Sequence, residues 1–348
     1  MKIFRGFHHP EVAPACALTI GNFDGVHRGH QAMLALLNSE AQHRGVASCV
    51  LTFEPHPRDY FAGRHQRPDL APARIGTLRD KLDELERCGV QQTVVLPFNE
   101  KLASLPAQAF IEDVVVRGLG ARYLLVGDDF RFGSGRTGDY AMLDAAGPAH
   151  GFEVARMNSY ELHGLRVSST AVRAALAAGD MQEAARLLGR PYAISGHVVH
   201  GRKLGRQLAE SSGGAGDGFR TLNLRFAHWK SAASGIFVVR VAGLADQPLP
   251  GVANLGVRPS LDPNDVNGGR VLLETHCLAW PEHLGAEGAY GKIVRVELLH
   301  KLHDERKYDG LAALTQGIAQ DCEDARAFFA AQAPGHTDTR RQTTRDRI

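Results

Sequence analysis

Residues 17–30 read Ala-Leu-Thr-Ile-Gly-Asn-Phe-Asp-Gly-Val-His-Arg-Gly-His, a short apolar run followed by a glycine-rich turn that carries two histidines. The run Ala17–Ile20 predicts a buried strand. His27–Arg44 has apolar residues at helical spacing, and Gly45 is a typical helix stop. The segment Gly21–His30 is therefore predicted to lie where a strand ends and a helix begins.

The same alternation continues along the first half of the chain. Further strands are predicted at Val46–Phe53, Thr93–Phe98 and Tyr123–Val126. Further helices are predicted at Leu78–Cys88 (apolar face Leu82, Leu85 and Cys88), Ala107–Val116, Thr170–Ala178 and Met181–Leu188. Strands alternating with helices predict an α/β domain whose parallel sheet is covered on both faces.

The pattern changes after Pro191. Short β-branched runs follow one another without helices between them, at Ile194–His200, Thr221–Phe226, Ile236–Val241, Val252–Leu255, Val271–His276 and Ile293–Leu299. They predict a small antiparallel β-barrel, closed by a C-terminal helix at Leu311–Ala331. We therefore expect domains at 1–189 and 190–332, with a disordered polar tail at 333–348.

Composition narrows the classes of partner. The net charge of +2 gives no reason to expect a nucleic-acid polymer, and no run of 18 apolar residues predicts a membrane span. Met1–Phe7 is too short and too charged for a signal peptide. The five cysteines form no C-x-x-C pair, which is typical of buried thiols in a reducing compartment. We expect a cytoplasmic enzyme, a monomer or weak homo-oligomer, with small-molecule substrates.

The chemistry of Gly21–His30 suits phosphate. A helix start offers unpaired N–H groups and a positive dipole end at the ligand-binding edge of a parallel sheet. His27 and His30 share one helix face and can both donate to one phosphate, as adenylyl transfer from ATP requires. Two histidines without a third ligand or an H-E-x-x-H glutamate do not favour zinc. The alternative is that they are surface histidines on an ordinary turn.

Several motifs together resemble the prokaryotic bifunctional FAD synthetases, which join a riboflavin kinase to an FMN adenylyltransferase. In the first half these are Gly21–His30 (G-x-F-D-G-V-H-x-G-H), Thr52–Pro57 (T-F-x-P-H-P), Gly127–Gly133 (G-x-D-F-x-F-G) and Ser168–Arg173 (S-S-T-x-I-R). In the second half they are Gly196–Arg206, Pro250–Pro259, Leu273–His276 (L-E-x-H), Tyr290–Lys292 and Lys301–Lys307. The resemblance implies a Rossmann-like nucleotidyltransferase domain followed by a kinase barrel.

For the first domain, the resemblance implies that His27, His30 and Arg173 are catalytic and act on the ATP phosphates. The implied ATP-binding residues are Gly21, Asn22, Phe23, Asp24, Gly25, Ser168, Ser169 and Thr170. The implied flavin-binding residues are His56, fixed between two prolines in an extended loop, and Asp129, Phe130, Arg131 and Phe132. For Ser169 and Thr170 a plain N-cap remains the alternative, and for Phe130 and Phe132 an aromatic core plug.

For the second domain, the resemblance implies that Glu274 is the general base that accepts the proton of the attacking riboflavin hydroxyl. Thr221 and Asn223 match the residues that hold Mg²⁺ and the ATP phosphates, and Gly201, Lys203 and Gly205 match the phosphate loop. The implied substrates are ATP, riboflavin and FMN.

The chain departs from this pattern at 207–223, and the segment Ala279–Ala289 before Tyr290 is also expanded. The family's P-T-A-N reads Arg220-Thr221-Leu222-Asn223, and an insertion at 207–219 precedes it. Because Leu222 alternates with Thr221 and Asn223 on a strand, it is expected to point away from them. The departure leaves three alternatives open: a monofunctional FMN adenylyltransferase with a degenerate barrel, a catalytically dead flavin sensor or scaffold, and a nucleotidyltransferase with another substrate.

Overall fold

The computed structural model describes residues 1–162, 165–200, 221–226, 230–257, 271–285 and 287–332. They form two compact units. The first contains Met1–Gly196 with Phe226, 230–233, Val257 and Val271, and the second contains the other described residues. By contacts the units divide between Gly196 and His197, and the predicted domain boundary after residue 189 stays a prediction. No helix in the described ranges is long and apolar enough to cross a bilayer.

The first unit is built on a six-stranded parallel sheet. Its strands are β1 (Lys2–Arg5), β2 (Cys16–Ile20), β3 (Ala47–Glu54), β4 (Gln92–Pro97), β5 (Ala121–Gly127) and β6 (Glu153–Met157). They lie in the order β1-β4-β3-β2-β5-β6. The order reverses at β2, so β2 ends at the crevice where sheets of this kind bind ligands.

Eight helices belong to the described part of this unit. They are α1 (Arg28–Arg44), α2 (Pro57–Arg64), α3 (Leu78–Arg87), α4 (Glu100–Ala103), α5 (Ala107–Ala109, continuing as a π-helix over Phe110–Gly118), α6 (Tyr140–His150), α7 (Ser169–Ala178) and α8 (Met181–Leu188). Short 3₁₀ turns cover Pro68–Leu70 and Ser134–Arg136, and a small antiparallel pair joins β7 (Glu161–Leu162) to β8 (Leu165–Arg166).

The sheet is buried on both faces, as the alternating pattern predicts. One cluster packs Leu18, Leu51 and Leu124 against the π-helical segment, and another packs Ala17, Val50 and Leu125 against α1. Since neighbouring residues of a strand face opposite sides, each strand feeds both clusters. This double burial fixes where β2 ends and α1 begins.

The second unit is built on a closed barrel, of whose strands only Tyr192–Gly196, Val257 and Val271 are grouped with the first unit. Its strands are β9 (Tyr192–Val199), β10 (Thr221–Arg225), β11 (Gly235–Ala242), β12 (Leu249–Val257), β13 (Val271–Cys277) and β14 (Ile293–His303), in the order β10-β13-β12-β11-β14-β9. A 3₁₀ turn covers Glu282–Leu284, and α9 (Leu311–Gln332) follows the last strand. Cys322 and Ala325 of α9 pack on Val238 and Val252 of the barrel.

The predicted fold is therefore confirmed, with two corrections. Of the predicted apolar face of α3 only Leu85 is buried, while Leu82 and Cys88 are partly buried; the other buried residues of the helix are the charged Asp80, Lys81 and Glu84. His56 does not lie in an extended loop, because Pro57 begins α2 and His56 is its N-cap. Elements not predicted include β1, α2, α6 and β6.

Candidate active sites

The turn after β2 has a strained backbone. Phe23 and Val26 have φ of 48° and 41°, and Gly25 between them has φ of 84°. Positive φ is unusual for phenylalanine and an outlier for a β-branched valine. A Cβ on Gly25 would lie 2.8 Å from Ile75, so this position requires glycine for space as well as for φ. The turn therefore has a specific conformation that depends on glycine at position 25.

The two predicted histidines meet at the start of α1. His27 is the N-cap residue, and its Nδ1 accepts from the backbone N–H of His30 at 3.3 Å. The imidazole rings stack with centroids 3.7 Å apart and an interplanar angle of 16°. Because Nδ1 of His27 is an acceptor, a neutral His27 carries its proton on Nε2, which is left as a donor.

Both histidines are held neutral. Burial lowers the pKa of His27 to about 4; the charges of Arg173 and Arg190 act in the same direction, and Asp24 opposes them. Burial also lowers the pKa of His30, assisted by His27 and Lys81. Neutral imidazoles donate to phosphate oxygens without a charge that would have to be buried beforehand.

Two buried polar atoms of the turn have no hydrogen-bond partner among the described residues. They are Oδ1 of Asn22 and Nδ1 of His30. Buried polar atoms nearly always have a partner. A polar ligand at the end of β2 would supply a hydrogen-bond partner to both atoms, which agrees with the predicted nucleotide site.

Asp24 anchors the turn through a buried ion-pair network. Its Oδ2 lies 2.6 Å from Arg173, and its carboxylate also accepts from the backbone N–H of Ile75. Arg74 is 4% exposed and pairs with Asp59 at 2.9 Å, with Glu54 at 3.6 Å and with Asp24 at 3.9 Å. Arg173 thus lies beside the predicted nucleotide turn, with its guanidinium against Asp24.

The predicted Ser168–Thr170 segment reaches the same turn. Ser168 is the N-cap of α7, and its Oγ accepts from the N–H of Ala171. The hydroxyl of Ser169 donates to the carbonyl of Asp24 at 3.0 Å, and Thr170 is exposed. The segment therefore combines capping with contact to the nucleotide turn, and its role in binding ATP stays a prediction.

The sequence analysis missed Lys81 and Arg74. Lys81 is 4% exposed and donates to Thr52 at 3.2 Å. Burial, helped by the charge of Arg74, lowers its pKa to about 8. The sequence feature that could have identified Lys81 is a charged triad in α3, formed by Asp80, Lys81 and Glu84. It was overlooked because periodicity alone was used to assign an apolar face to this helix.

The predicted flavin residues are spread over two places. His56 is buried, and its Nδ1 accepts from the N–H of Arg58. Phe132 is 6% exposed and belongs to the core cluster, where it contacts Phe110 and Phe130. Arg131 is exposed and pairs with Asp139, and Asp129 is exposed.

An aromatic cluster that the sequence analysis did not identify follows β3 and β4. The ring of Phe98 lies against Phe53 at 5.8 Å, Tyr60 at 5.4 Å and Phe61 at 5.8 Å, all nearly edge to face. Phe61 is 38% exposed. The cluster therefore presents an aromatic surface at the same edge of the sheet as the nucleotide turn.

The barrel brings three predicted residues together by strand register. Asn223 of β10 is directly opposite Glu274 of β13, and Thr221 is opposite His276. Asn223 is 5% exposed and donates weakly to the carbonyl of Thr221 at 3.4 Å. Leu222 is 2% exposed and Thr221 is exposed, but Asn223 is buried like Leu222, so the expectation that Leu222 points away from both neighbours stays a prediction.

Some predicted features lie outside the described residues. They are Gly201, Lys203, Gly205, Arg220, the insertion 207–219 and the tail 333–348.

Comparison with known proteins agrees with both units. A family model described as FAD synthetase matches residues 9–171, and one described as riboflavin kinase matches residues 188–329. The bifunctional riboflavin kinase/FMN adenylyltransferase of Escherichia coli (strain K12) is 43% identical over 96% of this chain and 100% of its own length. The chain belongs to the bifunctional riboflavin kinase/FMN adenylyltransferase family.

Other similarities extend over the same length. The family member from Haemophilus influenzae is 41% identical over 94% of this chain and 99% of its own. The crystal structure of a macrolide-efflux protein from Streptococcus pneumoniae is 27% identical, covers 93% of this chain and 98% of its own, and has a TM-score of 0.70. The efflux activity in that name is attributed to the other protein and is not transferred to this chain. The similarity supports a shared fold over nearly the full length of both chains. Family membership favours the bifunctional interpretation over the alternatives left open by the sequence.

Proposed function

We propose that this chain phosphorylates riboflavin to FMN in its barrel unit and adenylylates FMN to FAD in its first unit, using ATP in both steps. The observation that carries the adenylylation is the stacked His27–His30 pair at the start of α1, where Nδ1 of His30 and Oδ1 of Asn22 are buried without a hydrogen-bond partner in the part of the chain that the structure describes. Family membership supports both reactions.

In the first unit, an oxygen of the FMN phosphate attacks the α-phosphorus of ATP, the bond to the bridging oxygen breaks, and pyrophosphate leaves. The Nε2–H of His27 donates to phosphate oxygens as charge moves to the leaving group. The N–H groups at the start of α1 bind the same anion. Lys81 and Arg173 supply positive charge beside them. Burial of these groups strengthens each interaction with the transition state.

The aromatic cluster of Phe53, Tyr60, Phe61 and Phe98 is our candidate for the surface on which the flavin ring lies. A planar aromatic ligand gains from stacked and edge contacts with such rings. Since the cluster and the histidine pair share one edge of the sheet, a flavin there keeps its phosphate on the side of ATP. Phe130, half-buried and next to the core residue Phe132, stays a prediction for a further wall.

In the barrel, the carboxylate of Glu274 accepts the proton of the riboflavin hydroxyl as the hydroxyl oxygen attacks the γ-phosphorus of ATP. The bond from that phosphorus to the β–γ bridging oxygen breaks, and ADP leaves. Thr221 and Asn223 offer hydroxyl and amide oxygens, which are ligands that fit Mg²⁺. Among the described residues no three His, Cys, Asp or Glu side chains converge as a metal site. Mg²⁺, when bound, neutralises charge on the ATP phosphates.

Product analysis by chromatography tests both reactions. Purified chain is incubated with ATP and Mg²⁺ together with either riboflavin or FMN, with and without EDTA. FAD in both reactions supports the proposal. FAD from FMN alone would mean that the barrel is degenerate, and FAD from neither would refute the function of the first unit.

The flavin surface is tested separately by Phe61→Ala, with Leu70→Ala as a control that removes another exposed apolar side chain. We expect Phe61→Ala to raise the KM for FMN by about tenfold, equivalent to about 1.4 kcal/mol, because an aromatic contact is lost. The control should leave KM unchanged. If Phe130→Ala raises KM and Phe61→Ala does not, the flavin lies beside β5 instead.

A further inference from the structure

The strained nucleotide turn is held from a part of the chain far away in sequence. Arg190, in the segment after α8, donates to the carbonyl of Gly25 at 2.7 Å and to that of Val26 at 3.1 Å. The same guanidinium donates to the carbonyl of Leu188 at 3.0 Å and pairs with Glu84 at 3.0 Å. We infer that Arg190 is a positioning residue for adenylyl transfer, an inference that rests on the function proposed for the first unit.

The turn requires such support. Val26, a β-branched residue, has φ of 41°, and Phe23 has φ of 48°. Residues in this region keep their conformation only where the surrounding structure holds them. Local hydrogen bonding contributes one bond, from the N–H of Val26 to the carbonyl of Phe23 at 3.3 Å. The rest of the support comes from side chains of other elements.

Three successive carbonyls of the turn are held by side-chain donors. The carbonyl of Asp24 accepts from Ser169, and those of Gly25 and Val26 accept from Arg190. Gln31 adds a second donor to Val26 at 2.8 Å and ties it to Leu188 at 2.7 Å. Arg190 contacts two of the three carbonyls, so it contributes more of this support than any other of these side chains.

Holding these carbonyls sets the direction of the peptide groups. A trans peptide points its carbonyl and its N–H in opposite directions. With the carbonyl of Val26 turned toward Arg190, the N–H of His27 is directed away from it. His27 is also the N-cap of α1, so its backbone fixes both its ring and the helix start that is proposed to bind phosphate. Arg190 therefore orients groups that are proposed to contact ATP, and it acts through them and not by binding the nucleotide itself.

The geometry requires arginine in particular. Its planar fork presents several N–H donors in fixed directions, and here they serve three carbonyls and one carboxylate. A lysine could keep the charge beside Glu84 but could not reach all of these acceptors from one nitrogen. The charge of Arg190 also helps to keep His27 neutral.

The test compares Arg190→Lys and Arg190→Ala with Arg186→Ala, which removes a more exposed arginine whose guanidinium pairs with the nearby Glu183. Each variant is assayed for FMN adenylylation and, on the same preparation, for riboflavin phosphorylation. We expect both Arg190 variants to lower kcat for FAD formation by about 10- to 100-fold with little change in KM for FMN, since misplaced catalytic groups cost rate. Phosphorylation should be unchanged, and Arg186→Ala should alter neither activity.

Two further measurements separate positioning from folding. Guanidinium ion, well below denaturing concentrations, should partly restore FAD formation by Arg190→Ala. Val26→Gly, which relieves the positive φ, should recover part of the activity of Arg190→Lys. The inference is overturned if the Arg190 variants keep wild-type FAD formation, or if both activities fall in step without rescue. If the wild-type chain forms no FAD from FMN, the proposed function fails instead.

Discussion

His56 should make the first unit lose stability in acid, and Asn at this position should remove part of that loss. Burial lowers the pKa of His56 from 6.5 to about 3, and the charge of Arg74 acts in the same direction. Below about pH 6.5, His56 therefore binds a proton in the unfolded chain, whereas in the folded chain it stays neutral until the pH approaches about 3. The contribution of neutral His56 to the free energy of unfolding is therefore fully present above about pH 6.5. It falls by about 1.4 kcal/mol for each pH unit below that value, until the pH reaches the pKa of His56 in the folded chain. At about pH 5 the loss from His56 alone is about 2 kcal/mol.

His56→Asn keeps the local structure while it removes the titration. The Nδ1 of His56 accepts from the N–H of Arg58 as the N-cap of α2, and asparagine is a good N-cap acceptor. His8→Gln is the control, because His8 lies at the surface. We expect the stability difference between about pH 7.5 and pH 5 to shrink by about 2 kcal/mol in His56→Asn and to stay unchanged in His8→Gln.

The assay has to report the first unit by itself, since a chain with two units does not unfold in one step. Cys16 and Cys49 are fully buried in the sheet of this unit. Pulse labelling of both thiols with a methanethiosulfonate along a urea gradient, followed by mass spectrometry, measures the unfolding of the sheet at each pH. An equal pH dependence in wild type and His56→Asn would refute the reasoning.

Four other perturbations have defined outcomes. Glu274→Gln should lower kcat for riboflavin phosphorylation by about 10²- to 10⁴-fold and leave FMN adenylylation unchanged, as chromatography of both products would show. Leu222→Ala should lower the melting temperature of the barrel because it empties a buried site, and the cost of about 2–5 kcal/mol should appear in calorimetry. Asp24→Asn removes the buried carboxylate that pairs with the half-buried Arg173 and the buried Arg74 and should cost about 3–5 kcal/mol in the thiol-labelling assay. Leu34→Ala, at a fully buried position of α1, should cost about 2–5 kcal/mol in the same assay and serves as an uncharged comparison.

The sequence predicted those elements whose apolar residues follow one period. The helix α1, which is capped by Gly45, has this property, whereas the strand at Cys16–Ile20 was identified as a continuous apolar run and is buried at every position. α6 does not, because it contains Pro148 and Gly147, which are typical helix breakers. β1 has only four residues, of which one is buried, so its burial leaves almost no periodic signal.

The charged face of α3 shows where periodicity fails for a physical reason. Periodicity assumes that buried positions are apolar, but charged groups can be buried when they are paired. Glu84 pairs with Arg190, Asp80 accepts from the N–H of Ser195, and Lys81 donates to Thr52. Each partner is distant in sequence, so no local pattern identifies it. The sequence analysis did not predict Lys81 and Arg74 as residues of the first site for the same reason.

The two candidate sites differ in what brings their residues together. In the barrel, backbone register alone places Asn223 opposite Glu274, and Leu222, which is buried and lies between Thr221 and Asn223 in sequence, leaves that pairing in place. The change from P-T-A-N to Arg220-Thr221-Leu222-Asn223 therefore leaves the proposed metal-side and base residues adjacent. In the first unit, the turn carries strain that side chains from α7 and from the segment after α8 hold in place. The barrel site should tolerate changes in neighbouring loops, whereas the adenylylation site should be sensitive to substitutions far from the histidines.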